Sequence, residues 1–427
     1  AIYLLEEIGA GKAVPGVAEC YPVPEKPVEI KAAPTKLAAR IGCDIDAATM
    51  KAILENLDFT VEEKGEDSWV VTVPTWRKDC DCSADLSEEV ARMYGYDKIE
   101  SKTPELIMAR GGQAPIEDVK DMIRDTLTGI GLDEVMTYSF YNAQVFDNLG
   151  LPADDSRRKA LQIINPISDD FRTIRTTLTP CLLSTVAYNQ ARQSERTAIF
   201  EVGRVFIPKT LPLTDFPEEK MVLAIAMSGK RNPLSWNTAK DAIDFYDIKG
   251  ALEEVMDSLQ VKGLSYGPTK EVFLHPGKSC AISYEGKVIG FMGAIHPTVQ
   301  DRFGLSAETY VLEVEIAPFV KSAEQIPQFE HVPQFPSVSR DIAVVVKAGV
   351  SASDLEAEIR KEGGALLVDV RIFDVYTGKQ VKSGYKSVAF NLTFQDVTRT
   401  LQDKDVDDVI KQIVANVQDK FGGMLRD

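Results

Sequence analysis

Three histidines and three tryptophans in 427 residues leave little material for imidazole chemistry. His275 and His296 each precede a proline and read as turn or core residues, because neither has the paired groups that make a general base. Six cysteines (Cys20, Cys43, Cys80, Cys82, Cys181, Cys280) are scattered, and Cys80-x-Cys82 has no second pair at zinc spacing. Free thiols in a reducing cytosol fit this usage better than a disulfide framework. No apolar run approaches the ~18 residues that a membrane-spanning helix needs. Positive charge is also scarce: 48 Lys+Arg against 65 Asp+Glu give a net charge of −17, which speaks against indiscriminate nucleic-acid binding. The deficit is uneven. Val332–Asp427 holds 13 basic and 14 acidic residues, whereas the first 331 residues hold 35 and 51. Only the last part can approach a polyanion without a large penalty.

What is present is ordinary globular material, 44% hydrophobic and 26% charged, enough for about three domains. Residues 1–27 begin at Ala1 with neither a start methionine nor a signal peptide. They read as the tail of a preceding helix and a stiff linker, Pro22-Val23-Pro24-Glu25-Lys26-Pro27. The chain is therefore read as a fragment. A compact unit at 28–101 follows: strand Val28–Ile30, a helix from Pro34 to near Gly42, a helix from Asp46, and a hairpin of Thr60–Glu63 with Ser68–Val73. That order suggests a winged-helix-like domain, though one with acids rather than bases around its second helix.

The unit closes on the sharpest stretch of the chain, Pro74-Thr75-Trp76-Arg77-Lys78-Asp79 through Asp85-Leu86-Ser87-Glu88-Glu89 to Tyr94-Gly95-Tyr96-Asp97. Leu86, Val90, Met93 and Tyr94 recur as one helix face. Asp85, Glu88 and Glu89 fall at i, i+3 and i+4 opposite it, and Asp79 is near enough in the loop to fold back. Four such carboxylates repel unless a cation sits among them, and a hard, oxygen-seeking ion such as Mg²⁺ would serve. The alternative is a capped helix, with Asp85 as N-cap, Glu88 completing a capping box, and both glutamates pairing with Arg92.

Residues 102–322 mix long helices with alternating strands. Ile116 to Leu127 and Phe245 to Leu259 carry helical stripes; Val135–Tyr141, Thr197–Phe206 and Met221–Ala226 read as strands. Thr179 reads as the cap of a helix that Pro180 starts, and Glu285-Gly286 turns a hairpin. These form an α+β core with an antiparallel sheet. After a linker at 323–334, residues 335–427 give strand, helix, strand, strand, helix and a short strand at Met424-Leu425, a ferredoxin-like βαββαβ unit. Its last helix is expected to begin at Leu401 with Thr400 as cap and Asp403 at N3.

Several motifs resemble those of a known family. Phe335-Pro336-x-x-x-Arg340-Asp341-Ile342, Phe373-Asp374-Val375-Tyr376-x-Gly378, Gly384-Tyr385-Lys386 and Gln395-Asp396-x-x-Arg399-Thr400-Leu401 resemble the ferredoxin-fold anticodon-binding domain of phenylalanyl-tRNA synthetases. The stretch 74–97 looks like the domain upstream of the synthetase-like core in the bacterial β subunit. Asn165-Pro166-Ile167-Ser168, Arg175-Thr176-x-Leu178-x-Pro180-x-Leu182-Leu183 and Phe200-Glu201-x-Gly203-x-Val205-Phe206 resemble that core. The family's N-terminal tRNA-binding and editing domains have no counterpart in the sequence.

The resemblance implies a role in a phenylalanine–tRNA ligase, a cytoplasmic heterotetramer of two α and two β subunits that uses ATP and tRNA(Phe). It also implies that Asp79, Asp85, Glu88 and Glu89 hold a Mg²⁺ shared with the catalytic α subunit. Class II synthetase chemistry places arginines on ATP phosphates. Here Gly290-Phe291-Met292-Gly293 runs into Ala294-Ile295-His296-Pro297 with no arginine, so the core is expected to be catalytically inactive. Arg175, Arg192 and Arg204 read as salt bridges rather than remnants. In the last domain Arg340, Lys379, Lys382, Lys386 and Arg399 are candidates for RNA phosphates, and Tyr376 and Tyr385 for base stacking, with Phe373 expected in the core. The competing reading is a freestanding nucleic-acid-binding module, which the acidity of the first 331 residues disfavours.

Overall fold

The computed structural model describes residues 1–103, 107, 108, 111–323, 329, 331–378 and 380–426. Two compact units divide at Gly111/Gly112. Half of the expected linker at 323–334, residues 324–328 and 330, and Lys379 lie outside the described residues. Among those described, no helix is long and apolar enough to cross a membrane.

In the first unit a short helix, Ile2–Glu7, buries none of its side chains. Then come β1 (Glu29–Ala32), α1 (Pro34–Ile41), α2 (Ala47–Asn56), β2 (Thr60–Gly65), β3 (Ser68–Thr72) and α3 (Ser83–Tyr94). Pro34 opens α1, and Gly42 ends it at φ 77°, a conformation that favours a residue without Cβ. Asp46 caps α2 by accepting the Thr49 N–H at 2.9 Å. The antiparallel sheet runs β1-β3-β2. Leu37, Met50, Leu54, Trp69, Val71, Leu86 and Val90 make the core. Met93 is 48% exposed, so the buried stripe of α3 is narrower than its apolar pattern. The cap also differs from expectation. Cys82 is the N-cap and Asp85 stands at N3, accepting the Asp81 and Cys82 N–H groups at 2.9 Å each, because the helix begins at Ser83, three residues before its apolar stripe.

The second unit opens with α4 (Pro115–Gly129) and β4 (Asp133–Glu134), then α5 (Thr179–Gln190), β5 (Arg196–Ile207), β6 (Glu218–Gly229), α6 (Phe245–Ser258), β7 (Ser265–Gly267), β8 (Leu274–Tyr284), β9 (Lys287–Ile295), α7 (Pro297–Phe303) and β10 (Thr309–Glu315). One sheet runs β4-β5-β6-β10-β9-β8-β7, parallel only at β4–β5. Helices α4 and α6 cover one face through Ile123, Leu127, Leu252 and Val255 on Phe200, Leu223 and Leu312. On the other face Leu182, Leu183 and Val186 of α5 lie with Ile199, Ala224 and Val311. Both faces of the sheet are thus filled.

The strand expected at 135–141 is broken. Only Phe140–Tyr141 pairs, with Thr173–Ile174, because the Thr137 hydroxyl and N–H turn to the Glu201 carboxylate at 2.6 and 3.3 Å. Thr179 is likewise not a cap but the first residue of α5, whose N-cap is Leu178. The acceptor is Glu313 of β10. Its Oε2 takes the Leu178 and Thr179 N–H groups (3.0 and 2.9 Å) and the Thr177 and Thr179 hydroxyls (2.7 and 2.8 Å).

The chain ends in β11 (Val338–Lys347), α8 (Ala352–Gly363), β12 (Leu367–Tyr376), β13 (Tyr385–Phe394), α9 (Asp403–Phe421) and β14 (Met424–Leu425), with sheet order β12-β13-β11-β14. This is the expected βαββαβ unit. Leu355, Ile359, Phe390, Leu392, Phe394, Ile413 and Val417 fill its core. Helix α9 starts at Asp403 with Gln402 as cap and Asp405 at N3, not at Thr400 and Asp403, because Leu401 is drawn into the core. Phe373 is 57% exposed rather than buried, since a register shift between Ile372 and Asp374 takes it out of alternation.

Burial pushes the Glu313 carboxyl above its ordinary value of 4.5. A carboxyl raised in this way favours folding below its unfolded value and loses that contribution as pH rises through the folded one. Glu313→Gln keeps the acceptor without the charge. In urea unfolding at pH 7 it is expected to match or exceed the parent by about 1 kcal/mol, the gap closing as pH approaches 4.5. Glu313→Ala is expected to lose about 1–3 kcal/mol at either pH, because the donors at the start of α5 stay buried and unpaired.

Candidate functional site

The loop from β3 to α3 turns at Pro74, whose carbonyl accepts the Arg77 N–H at 3.0 Å. The turn directs the Arg77 side chain at α3. Its Nε and Nη2 reach Asp79 Oδ1 and Oδ2 at 2.9 and 2.8 Å, and its Nη1 and Nη2 reach Glu89 Oε2 and Oε1 at 2.8 Å each. The guanidinium also lies 5.8 Å from the Phe59 ring centroid. Glu89 is 5% exposed and takes a further bond from Arg92 Nη2 at 2.6 Å. Two carboxylates therefore share one planar fork, the geometry that makes charge-assisted bonds strong. Arg77 holds the Asp79 carboxyl down to about 2. Arg77, with Arg92, holds the Glu89 carboxyl at about 2 against the opposing effect of burial.

The other two predicted ligands go elsewhere. Asp85 closes the start of α3 through two backbone N–H bonds, which pull its carboxyl below the usual range. Glu88 is exposed beside a surface cavity of about 440 Å³ shared with Arg40 and Ile41 of α1 and with Tyr96. Among the described residues, Asp81, Cys82 and Asp85 form the one group of three or more histidine, thiol or carboxylate ligands whose ligand atoms gather within 4.8 Å. The four carboxylates do not fit one ion as a set. Asp79 and Glu89 fit a single cation between them, and the guanidinium of Arg77 is that cation. Sequence reading missed it, although an arginine two residues before an acid in a tight loop is a usable signal.

In the middle sheet Arg175 is 4% exposed and binds Glu201 Oε1 at 2.6 Å and the Arg204 carbonyl at 2.7 Å. Gly203 leaves it room, since a Cβ there would stand 2.6 Å from Arg175 Nη2. Arg204 pairs with Glu219 at 3.1 Å, so both arginines are salt bridges as expected. Arg192 instead lies over the Tyr188 ring. His275 Nδ1 accepts the Gly277 N–H and His296 Nδ1 caps α7 through Thr298, both turn roles.

In the ferredoxin-like unit Arg340 pairs with Asp403 at 2.7 Å and Arg399 with Asp405 at 2.6 Å, both in the acidic first turn of α9. Lys382 is exposed, with its Nζ 5.9 Å from the Tyr385 ring centroid, and Lys386 is half-buried on β13. Arg426, which sequence reading did not single out, stacks on Tyr376 at 4.8 Å. Cations and aromatic faces therefore meet around Tyr376 and Tyr385, while Arg340 and Arg399 are engaged by carboxylates.

Three family models match: one described as Phenylalanyl tRNA synthetase beta chain CLM domain over residues 99–316, a tRNA synthetase B5 domain over 30–96, and a ferredoxin-fold anticodon binding domain over 333–426. Curated relatives named phenylalanine–tRNA ligase beta subunit come from Clostridium acetobutylicum (34% identical, 100% of this chain, 52% of the relative) and Vibrio cholerae (38%, 100% and 53%). The chain thus spans about half the length of these relatives. A solved pyrrolysyl-tRNA synthetase from Desulfitobacterium hafniense is 12% identical over 48% of this chain and 68% of its own, with a TM-score of 0.38, a likeness too slight to bear on the fold.

Asp79 and Glu89 have ordinary values of 3.8 and 4.5 and sit near 2 in the folded unit. Depressed carboxyls add stability that is present above the unfolded value and lost as pH falls through the folded one. Thermal melts followed by fluorescence of the buried Trp69 are expected to drop between about pH 4.5 and pH 2. Arg77→Met should flatten that dependence, and an unchanged acid profile in the variant would contradict the assignment.

Proposed function

Since the chain belongs to the phenylalanyl-tRNA synthetase β-chain family, we propose that it is the supporting portion of a cytoplasmic phenylalanine–tRNA ligase, which joins phenylalanine to tRNA(Phe) at the expense of ATP. In this reading the α subunit carries the chemistry, in a heterotetramer of two α and two β chains. The domains are a winged-helix-like unit at 28–101, an inactive class II synthetase-like core at 102–322, a linker at 323–334 and an anticodon-binding unit at 335–427. The observation that carries the inert core is its occupancy. Helix α5 fills one face of the sheet and helices α4 and α6 the other, and Arg175 is spent on Glu201.

The Mg²⁺ reading of Asp79, Asp85, Glu88 and Glu89 requires the α subunit to bring these carboxylates together and to supply further ligands; the ion's part in the assembled enzyme is then structural or allosteric. For RNA, Lys382 and Lys386 remain the candidates for phosphates, together with Tyr376 and Tyr385 as stacking faces and Arg426 beside them. Lys379 stays in the proposal on sequence alone. Arg340 and Arg399 contribute after exchanging Asp403 and Asp405 for phosphate.

Amino-acid activation, read as ATP–pyrophosphate exchange, is expected only when the chain is mixed with a second chain carrying complete ATP motifs; activation by this chain alone would overturn the reading. Replacing Lys382 and Lys386 by alanine in that complex should weaken tRNA binding and reduce its salt slope by roughly one unit per lost phosphate contact. Unchanged affinity and slope would remove both lysines from the interface.

A further inference from the structure

We propose that Arg426 is a positioning residue for tRNA binding, a clamp that fixes the loop between β12 and β13 without itself touching RNA. The proposal rests on reading this unit as the tRNA-binding one, and it deepens that reading by naming what holds its cationic loop in shape. Arg426 follows β14 and is held at three points. Its N–H donates to the Ala343 carbonyl of β11 at 2.9 Å. Its guanidinium lies over one face of the Tyr376 ring, 4.8 Å from the centroid, and its Nη2 donates to the side-chain oxygen of Gln380 in the loop.

Strands β14 and β12 are opposite borders of the sheet, with β11 and β13 between them. At ~4.8 Å per strand spacing their backbones stand about 14 Å apart, a gap that two long side chains close by lying across one face of the sheet. The other face is taken, since Ile342, Val344, Phe390 and Leu392 pack there with α8 and α9. Alternation gives the free side to Ala343 on β11 and to Ser387 and Ala389 on β13. Ala343 and Ala389 are register partners, and Ser387 is the partner of Tyr376. The arm therefore runs over short side chains on its way to the ring.

The loop needs such a hold. Gly378 and Gly384 bracket it, and Gly384 sits at φ 85°, so the segment has little stiffness of its own. A Cβ on Gly378 would collide with the Tyr376 hydroxyl, so the ring under Arg426 also bears on the loop. Val381 is buried, and its N–H closes a turn on the Gly378 carbonyl at 3.0 Å, while Lys382 leaves that turn exposed. An arginine suits the part because its planar fork stacks on a ring and donates from its edge at once. A loop ordered in advance spares the complex the cost of ordering it on binding.

The test uses the chain assembled with a second chain carrying complete ATP motifs. It measures tRNA(Phe) affinity across a salt series, and hydrogen exchange of the peptide spanning residues 377–385. Arg426→Ala is expected to weaken binding about fivefold with the salt slope unchanged, and to speed exchange of that peptide by about tenfold. Should Arg426→Ala fail to fold, Gln380→Ala on the exposed loop removes only the side-chain bond to the clamp and is expected to give the same pattern at about twofold. A slope reduced by roughly one unit, with the peptide still protected, would overturn the proposal and make Arg426 a phosphate contact. Parent-like affinity in both variants would also overturn it, leaving the RNA reading in place if the Lys382→Ala, Lys386→Ala double variant binds weakly. If that double variant binds like the parent too, the RNA reading falls with it.

Discussion

A charge placed inside a sheet must be answered from within it, and the Arg175–Glu201 pair is where this fold meets that demand. The pair draws together the Thr137 segment, the loop before α5, and β5, whose carbonyl at Arg204 takes the Arg175 Nε–H. A buried pair of this kind is not itself a large source of stability, but removing one partner is costly. The surrounding chain is shaped to keep both. Gly203 gives up its side chain, and Thr137 gives up strand pairing. Glu313 answers the same demand with hydroxyls and the N–H groups at the start of a helix in place of a cation.

Unit one repeats the theme at a surface. Asp79 and Glu89 are separated along the chain by a loop and nearly two helical turns, and the fork of Arg77 fixes the loop against α3. The fold resolves the crowding of acids by dispersing them: one pair about an arginine, one carboxylate on a helix start, one into solvent. The C-terminal unit disperses its bases similarly, since two of its arginines are matched to the first turn of α9. Its near-neutral balance is therefore local as well as global.

Much of this was legible in the sequence. The stripes of α4 and α6, the hairpin at Glu285-Gly286 and the βαββαβ order all follow from periodicity and turn residues, because burial of one face repeats at fixed spacing. Site geometry did not follow so easily. Spacing placed Asp85, Glu88 and Glu89 on one helix, but adjacent residues on a helix diverge by about 100°, and Glu88 and Glu89 part company for that reason. Caps shifted by three, one and two residues at α3, α5 and α9: an aspartate at N3 (Asp85, Asp405) fixed the first and last, and Glu313, from a strand distant in sequence, fixed the second. Thr137 and Phe373 were misread for one reason: a contact from another strand, or a slip against one, overrides alternation.

The irregularity in β12 has a further consequence. That strand is the outer border of its sheet, with Val368, Phe373 and Val375 all substantially exposed. A straight border with such residues would invite a second molecule to add its own strand and begin aggregation. The displaced register near Phe373, flanked by Asp369, Arg371 and Asp374, spoils that template, so the domain can show aromatic surface to solvent while remaining a poor seed for self-association.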